Sequence, residues 1–356
     1  MLDKKHIKYF KKILPVDFVL SEEGDCWAYG YDNSKMHVMP ECVLFADSKA
    51  QIKDIVRYCF ENTIPITTRG RGTGNTGGSV PIENSVVLSL EKMNKIIDID
   101  ISNRLAVVQP GVINKTLQDE LQKENFFWGP DPSSQDYSTI GGNIANNSAG
   151  PRAIKYGTPR DNILGLEFIS GTGEIHKTGV KTSKGVVGLD LTRLFVGSEG
   201  ILGILSEATL KILPLNNGVK TFEITFETLK SASDMIIMLM TQPITPYKLE
   251  FVDEQSVKLI NSIKKNHFEI NTKSAVLLEI DGDVDFIDIQ SKKLLKLMQS
   301  KEHKKITIAE NKIEIAELWK ARKSLSPALK EIGGYKINED IAVPISNLTR
   351  LLNNLS

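Results

Sequence analysis

This 356-residue sequence is poor in cysteine and histidine and has no surplus of either charge. Cys26, Cys42 and Cys59 are odd in number and far apart, so they build neither a disulfide framework nor a zinc knuckle. A reducing cytoplasm suits them. His6, His37, His176, His267 and His303 fall in no H-x-x-x-H or H-x6-H spacing. No metal site is therefore expected, and all five histidines read as surface residues. Lys+Arg and Asp+Glu both number 44, which argues against a broad basic face for nucleic acid. The longest conspicuous apolar run, Met235 to Met240, is six residues, far below the ~20 that span a bilayer. Lysines near the N-terminus are followed by no apolar segment, so no signal peptide is expected. What is present, 41% hydrophobic and 25% charged residues, is the composition of a globular enzyme. The length suits two domains.

Glycine is unevenly spread. Twenty of the 26 glycines lie between Gly70 and Gly203, and only Gly218, Gly282, Gly333 and Gly334 follow. The first part therefore reads as rich in tight turns and close backbone approaches. Leu213 to Gly218, with a proline and two asparagines, punctuates the change and marks a domain boundary. Residues 2–14 predict a basic amphipathic helix with Ile7, Phe10 and Leu14 on one face. Packing on its own domain is the simpler role, and a membrane-surface contact is compatible with its lysines. Val43 to Ala46 reads as a strand, Ser48 and Gln51 as a capping box, and Ile52, Ile55, Val56, Cys59 and Phe60 as the buried face of a helix. Pro65 to Thr68 is a second strand, so the opening is βαβ. Beyond Gly218, strands at 221–226, 248–252, 275–280 and 306–309 alternate with helices near 229–241, before 263, near 286–299 and from about 313 to 329. Antiparallel strands with helices on one face suit this order.

The stretch Arg69-Gly70-Arg71-Gly72-Thr73-Gly74-Asn75-Thr76-Gly77-Gly78 is the most informative. Its glycines leave backbone N–H groups uncovered, a nest for a phosphate or pyrophosphate. It contains a literal G-x-G-x-x-G. A dinucleotide fingerprint of the nicotinamide type must open a helix, however, and here Pro81 and the β-rich Val86 to Leu90 follow. That reading is rejected. A second cluster runs from Gly129-Pro130-Asp131-Pro132-Ser133-Ser134 to Thr139-Ile140-Gly141-Gly142-Asn143-Ile144-Ala145-Asn146-Asn147, and a third from Val196 to Ile204.

Taken together, R-G-x-G-T-G-x-x-G-G at 69–78, P-D-P-S-S at 130–134, T-I-G-G-N-I-A-N-N at 139–147 and V-G-S-E-G-x-L-G-I at 196–204 resemble the FAD-linked oxidase family with the vanillyl-alcohol-oxidase (PCMH) type of flavin domain. The branch that looks most similar holds the glycolate oxidase flavin subunit, D-lactate dehydrogenase and D-2-hydroxyglutarate dehydrogenase. The resemblance covers about residues 30–345. It implies an α+β fold: an N-terminal helical segment at 1–36, a PCMH-type two-subdomain FAD-binding domain at 37–215, and an incomplete α+β cap (substrate) domain at 216–356. By resemblance, FAD is bound by Arg69, Gly70, Gly72, Thr73, Gly74, Asn75, Thr76, Pro130, Asp131, Thr139, Gly142, Asn143, Asn146 and Ile204. Some relatives tether the flavin through a histidine in the first loop. Residues 69–78 hold no histidine, cysteine or tyrosine, so non-covalent FAD is expected.

Trp319-Lys320-Ala321-Arg322 matches the family's W-x-x-R segment, whose arginine grips the substrate carboxylate. Ser326 and Lys336 match two further contacts. On composition alone Arg322 and Lys336 read as solvated charges at a helix end. The resemblance implies oxidation of a small D-2-hydroxy acid (glycolate, D-lactate or 2-hydroxyglutarate) by hydride transfer to flavin N5. Electrons would pass on to a protein or quinone acceptor. Relatives continue with H-x-G-D-G-N-x-H and G-E-H-G segments, which supply a metal site and a histidine base, and neither motif occurs here. The family's metal is therefore not expected in this chain, the catalytic base is unassigned, and the cap is expected to be truncated. Loss of a general base typically costs ~10²–10⁴-fold in rate, so slow flavin reduction is expected of this chain. The alternative reading is the FAD-binding half of a split enzyme, complemented by a separate C-terminal chain, or an inactive remnant. A UDP-sugar reductase sharing the flavin domain is disfavoured by P-D-P-S-S and by the Trp319–Arg322 segment. The expected location is the cytoplasm, with room for peripheral contact at the inner face of a membrane.

The odd cysteine count and the helical placement of Cys59 predict no structural disulfide. Intact mass should be the same before and after reduction, and a mass increase on reduction would contradict this.

Overall fold

The computed structural model describes residues 2–182, 184–264, 267–309, 311–325, 328–329 and 340–355. The chain divides into two compact units, Met1–Leu215 and Asn216–Ser356.

The first unit opens with α1 (Lys4–Ile13), capped by the Asp3 side chain. Phe10 and Leu14 are buried in one core with Val19, Leu44, Ile52, Ile55 and Leu88. The apolar face of the basic helix is thus spent on its own unit, and its lysines stay outside. Strands β1 (Val19–Leu20), β2 (Cys42–Phe45), β3 (Ile66–Arg69) and β4 (Val86–Ser89) form a sheet in the order β1-β2-β4-β3. β2 and β3 both run parallel to β4. Every residue of β2 and β4 is buried, as parallel strands covered on both faces require. The helix after β2 spans Lys49–Glu61 and buries Ile52, Ile55, Val56 and Cys59. Phe60 differs from the sequence reading and is 62% exposed. At ~100° per residue it lies roughly 90° from the centre of the buried stripe, on its rim. The capping box also differs. Ser48 makes no side-chain cap bond, and Gln51 Oε1 accepts instead from the Asp47 N–H at 2.9 Å.

A second, antiparallel sheet follows the order β5-β6-β10-β8-β9, with β7 also paired to β10. Its strands are β5 (Ile96–Asp100), β6 (Leu105–Val108), β7 (Phe126–Trp128), β8 (Ile163–Ile169), β9 (Ile175–Gly179) and β10 (Ile204–Pro214). Trp128 is fully buried among Leu117, Leu121, Ile140 and Ile212, and its indole N–H donates to the Asn162 carbonyl at 3.1 Å. The helix after β2 is tied to this sheet through Glu167 on β8, 3% exposed. Glu167 accepts from Lys49 Nζ at 3.1 Å and Ser206 Oγ at 3.0 Å, and Lys177 Nζ lies 3.2 Å away. Burial alone would raise its carboxyl pKa, but these donors outweigh it and hold the group below the ordinary range.

The second unit is one antiparallel sheet, ordered β12-β13-β11-β14. The strands are β11 (Gly218–Phe226), β12 (Lys248–Val252), β13 (Ser274–Gly282) and β14 (Lys305–Ala309). Phe222, Ile224, Phe226, Val276, Leu278 and Ile280 face the helices Leu229–Thr241 and Val284–Gln299. The opposite face is also covered. Val252 and Ala275 pack with Val257 and Ile260 of the helix Glu254–Ile263, and with Ala321 and Leu325. Leu277 and Ala309 pack with Leu318 of the helix Lys312–Lys323. Helices on one face only was the sequence expectation, and the structure corrects it. Residues Ser274 to Asp281 of β13 are all buried, a pattern that needs cover on both sides.

Phe222 is fully buried at the middle of this sheet. Phe222→Ala should cost about 3–5 kcal/mol of unfolding free energy, read from urea denaturation. A loss of only a few tenths would show that this core is not packed as described.

Candidate functional site

The loop after β3 is shaped to leave its own amides free. None of the backbone N–H groups from Arg71 to Ser79 donates to an acceptor among the described residues. Unpaired backbone donors at this density are costly unless water or a ligand takes them. The loop is held from behind. The Arg69 guanidinium, 6% exposed, donates to the carbonyls of Tyr31 at 2.6 Å and Ser79 at 3.4 Å. A Cβ at Gly72, where φ is +63°, would lie 2.2 Å from Arg69 Nη2. Arg69 therefore builds the loop, and its charge is turned inward. Desolvation lowers its pKa, with Glu91 and Asp32 opposing that shift. Gly70 also stands on protein contacts, since a Cβ there would meet Thr139 Oγ1 at 2.5 Å.

Gly74 is different. A Cβ there would meet only Asp32 Oδ2, at 3.8 Å. The space beside it is open, as a cradle for a bound group requires. Thr73 and Gly74 are half-buried, and Asn75 and Thr76 are exposed. Residues 32–34 template this tip. The Asn33 N–H donates to the Gly74 carbonyl at 2.9 Å, and Asn33 Nδ2 to Asn75 Oδ1 at 2.5 Å. Asp32, 2% exposed, accepts from the Ser34 N–H at 2.8 Å and from Ser79 Oγ at 3.5 Å. Sequence reasoning passed over Asp32, although the run Asp32-Asn33-Ser34 is a turn signal of the ordinary kind.

The three glycine-rich clusters meet. Thr139, beside Gly70, caps the short helix Ile140–Ala145 by accepting from the Gly142 N–H at 3.1 Å. From the third cluster, the Gly197 and Glu199 N–H groups donate to the Ile144 and Ala145 carbonyls at 3.0 and 2.9 Å. Glu199 also lies beside Gly78. Ile204 begins β10 opposite Ile169 and is buried. Other predicted binders also have partners within the protein. Asn143, 2% exposed, accepts from Asn114 Nδ2 at 2.9 Å and donates to Ser138 Oγ at 3.1 Å. Asp131 accepts from the Arg152 N–H at 3.0 Å and lies 3.2 Å from Arg152 Nε. The Pro130 carbonyl accepts from Asn114 Nδ2 at 3.4 Å. Asn146 stays exposed, with its amide donating to the Gly142 carbonyl at 3.0 Å.

In the second unit, one sheet face carries acids, each with its own partner. Residues directly opposed across strands share a face. One row is Lys248, Glu279, Thr221 and Ala309, and the next is Glu250, Leu277, Glu223 and Thr307. Glu279, 3% exposed, accepts from Thr221 Oγ1 at 3.0 Å, Lys248 Nζ at 2.8 Å and the Trp319 indole N–H at 2.6 Å. Arg322 Nε lies 2.6 Å from Glu250 Oε2. His267 Nε2 lies 3.0 Å from Glu223 Oε2, with both side chains under 10% exposed. His267 is thus an enclosed partner of a buried acid and not the surface residue expected. The acids were missed because a charged residue facing inward on a strand is the reverse of the usual pattern. Ser326 and Lys336 lie outside the described residues. Among the described residues, no cluster of three or more His, Cys, Asp or Glu is placed to hold a metal ion. Nor is any helix long and apolar enough to cross a membrane.

Residues 40–179 match the FAD binding domain family, and residues 216–356 match the C-terminal domain of FAD linked oxidases. The chain is 36% identical to glycolate oxidase subunit GlcD of Bacillus subtilis (strain 168), over 92% of this chain and 71% of that protein. It is 35% identical to a D-lactate dehydrogenase of Anaerostipes hadrus, over 70% of this chain and 53% of that one. Against GlcD of Escherichia coli (strain K12) it is 29% identical, over 91% of this chain and 64% of the relative. Among solved structures, an alkyldihydroxyacetonephosphate synthase superposes with a TM-score of 0.78 at 19% identity, covering 93% of this chain and 64% of that one. A p-cresol methylhydroxylase with substrate bound does so with a TM-score of 0.70 at 20% identity, covering 86% and 65%. The free amides and the open space at Gly74 fit the pyrophosphate of FAD.

The loop makes a clean test. Gly74→Leu should leave the melting temperature of the flavin-free chain unchanged, because nothing in the protein fills that space, yet abolish flavin uptake. Full flavin content in this variant would remove the loop from the site. In the unaltered protein, acid precipitation should leave the flavin in the supernatant.

Proposed function

The chain belongs to the FAD-linked oxidases, and from that premise we propose that it oxidises a small D-2-hydroxy acid of the glycolate, D-lactate or 2-hydroxyglutarate type. Two of the three relatives described above carry the name glycolate oxidase and the other D-lactate dehydrogenase. In the reaction, the Cα–H bond breaks with its electron pair, the hydroxyl loses its proton and the carbonyl forms. Bound FAD supplies the two-electron acceptor, at N5. The chain supplies binding and positioning, with the base that takes the hydroxyl proton unassigned. Thr73, Gly74, Asn75 and Thr76 offer the amides for the pyrophosphate, on a frame built by Arg69, Asp131, Thr139 and Asn143. Arg322, with Ser326 and Lys336 beyond it in sequence, takes the substrate carboxylate.

The observation that carries the substrate half is the state of Arg322. Its side chain is 34% exposed and anchored to a carboxylate on the sheet. That is neither a free surface charge nor a fully enclosed one. A planar guanidinium held in this way suits a carboxylate ligand. The reading as a flavin-binding half with no catalysis of its own is less favoured, because residues 216–356 match the family's C-terminal domain. Non-covalent flavin, an onward acceptor of protein or quinone type, and a cytoplasmic location belong to the same proposal.

The test is anaerobic bleaching of the flavin band by glycolate, D-lactate and 2-hydroxyglutarate. At least one should bleach it, and Arg322→Ala should weaken the half-saturating concentration about 10²-fold, roughly 2–3 kcal/mol. Bleaching by none of the three, or an unchanged half-saturation in the variant, would overturn the proposal.

A further inference from the structure

We propose that Asp32 is a positioning residue for FAD: it closes a turn at residues 32–35 that aims the Asn33 N–H at the Gly74 carbonyl, and so holds the Asn75 N–H free for the pyrophosphate. The inference rests on the reading of residues 71–79 as the pyrophosphate loop. The turn precedes residues 40–179, the stretch that matches the FAD binding domain family, and lies in none of the three glycine-rich clusters.

The turn sits in a short closed segment. Tyr31 and His37 face each other in an antiparallel bridge, and the Val38 N–H donates to the Gly30 carbonyl at 3.0 Å. Between them the chain reverses over Asp32-Asn33-Ser34-Lys35, and the Lys35 N–H donates to the Asp32 carbonyl at 3.3 Å. Asp32, 2% exposed, accepts from the Ser34 N–H at 2.8 Å through Oδ1. An Asp at the first position of a turn fixes the residues after it by this bond. The Asn33 N–H is thereby directed at the Gly74 carbonyl, 2.9 Å away. A trans peptide unit is planar, with its C=O and N–H pointing opposite ways. Anchoring the Gly74 oxygen therefore fixes the Asn75 N–H as well, which belongs to the same unit and donates to no described residue. Gly74 has no Cβ to bar a flipped peptide. A flip would put a carbonyl oxygen where the N–H now points, the wrong charge for a phosphate. Two more contacts hold the segment on the loop. Arg69 donates to the Tyr31 carbonyl at 2.6 Å, and Met36 Cε occupies the place a Cβ at Gly77 would take.

A carboxylate beside the loop also acts through its charge, which repels phosphate and balances Arg69, so the test separates acceptor from charge. Asp32→Asn keeps a side-chain oxygen for the Ser34 N–H and removes the charge. Asp32→Ala removes both. FAD is titrated into the flavin-free full chain and followed by flavin fluorescence. Asp32→Ala should weaken FAD about 10-fold or more. Asp32→Asn should bind within about 3-fold of the unaltered protein, or more tightly. Unchanged or tighter binding in Asp32→Ala, or equal weakening in both variants, would each overturn the inference. Should Asp32→Ala fail to fold, Asn33→Pro takes its place. Asn33 is exposed, and proline suits the second position of such a turn while deleting the N–H that meets Gly74. The same weakening is expected there. Asn33→Ala loses the same side chain but keeps that N–H, and should stay within about 3-fold of the unaltered protein. Equal affinity in these two variants overturns the inference. Gly74→Leu separates the two readings. Undiminished FAD binding in that variant overturns the loop assignment and this inference together. Loss of binding there, with Asp32→Ala unaffected, overturns the positioning role alone.

Discussion

A loop that keeps its amides unpaired cannot support itself, and much of the first unit is arranged around that constraint. The stretch from Arg71 to Ser79 spends no backbone N–H on the described residues, so its shape comes from groups behind it. Arg69 is the central one. Its guanidinium ties together the carbonyls of Tyr31 and Ser79, and its place beneath Gly72 leaves no room for a side chain there. A cation with this role is bound by hydrogen bonds that strengthen in a partly desolvated setting. The loop leaves neutral backbone dipoles open, with the buried Arg69 charge beneath them.

The same division of labour runs through the second cluster. Asn143, Asp131 and Thr139 spend their polar atoms on Asn114, Ser138, Arg152 and the Gly142 amide. They hold the backbone in place, and the backbone does the presenting. A family motif of this kind mixes residues that touch the ligand with residues that shape the part that does. Glu167 does similar work at larger scale, since its buried carboxylate gathers Lys49 from the helix after β2 and Lys177 and Ser206 from its own sheet.

The second unit solves a different problem. Its sheet is covered on both faces, but the face bearing Glu223, Glu250 and Glu279 is polar in the middle. Each acid has a partner of its own, His267, Arg322 and the Lys248–Trp319 pair. Leaving such an acid unpaired would be strongly destabilising. Pairs like these add little net stability over an apolar core, so their value lies in direction. Each holds a long side chain at a set angle to the sheet.

Much of this was legible in the sequence by itself. Glycine spacing exposed the three clusters, and the order of strands and helices after Gly218 appeared in hydrophobic periodicity. The proline after the first loop was enough to reject a nicotinamide fold, because a rigid ring there leaves no helix. These features are local, and local chemistry sets them. Tertiary structure decided what depends on partners distant in sequence. Periodicity could not show that Phe60 would fall on the rim of its helix or that β13 would be covered on both faces. Nor could it show that Arg69 turns inward while Gly74 opens outward, since both sit in one motif and differ only in what stands behind them. Asp32 and the three acids of the second sheet were invisible for the same reason. A buried charge is recognisable only once the group that neutralises it has been brought alongside by the fold.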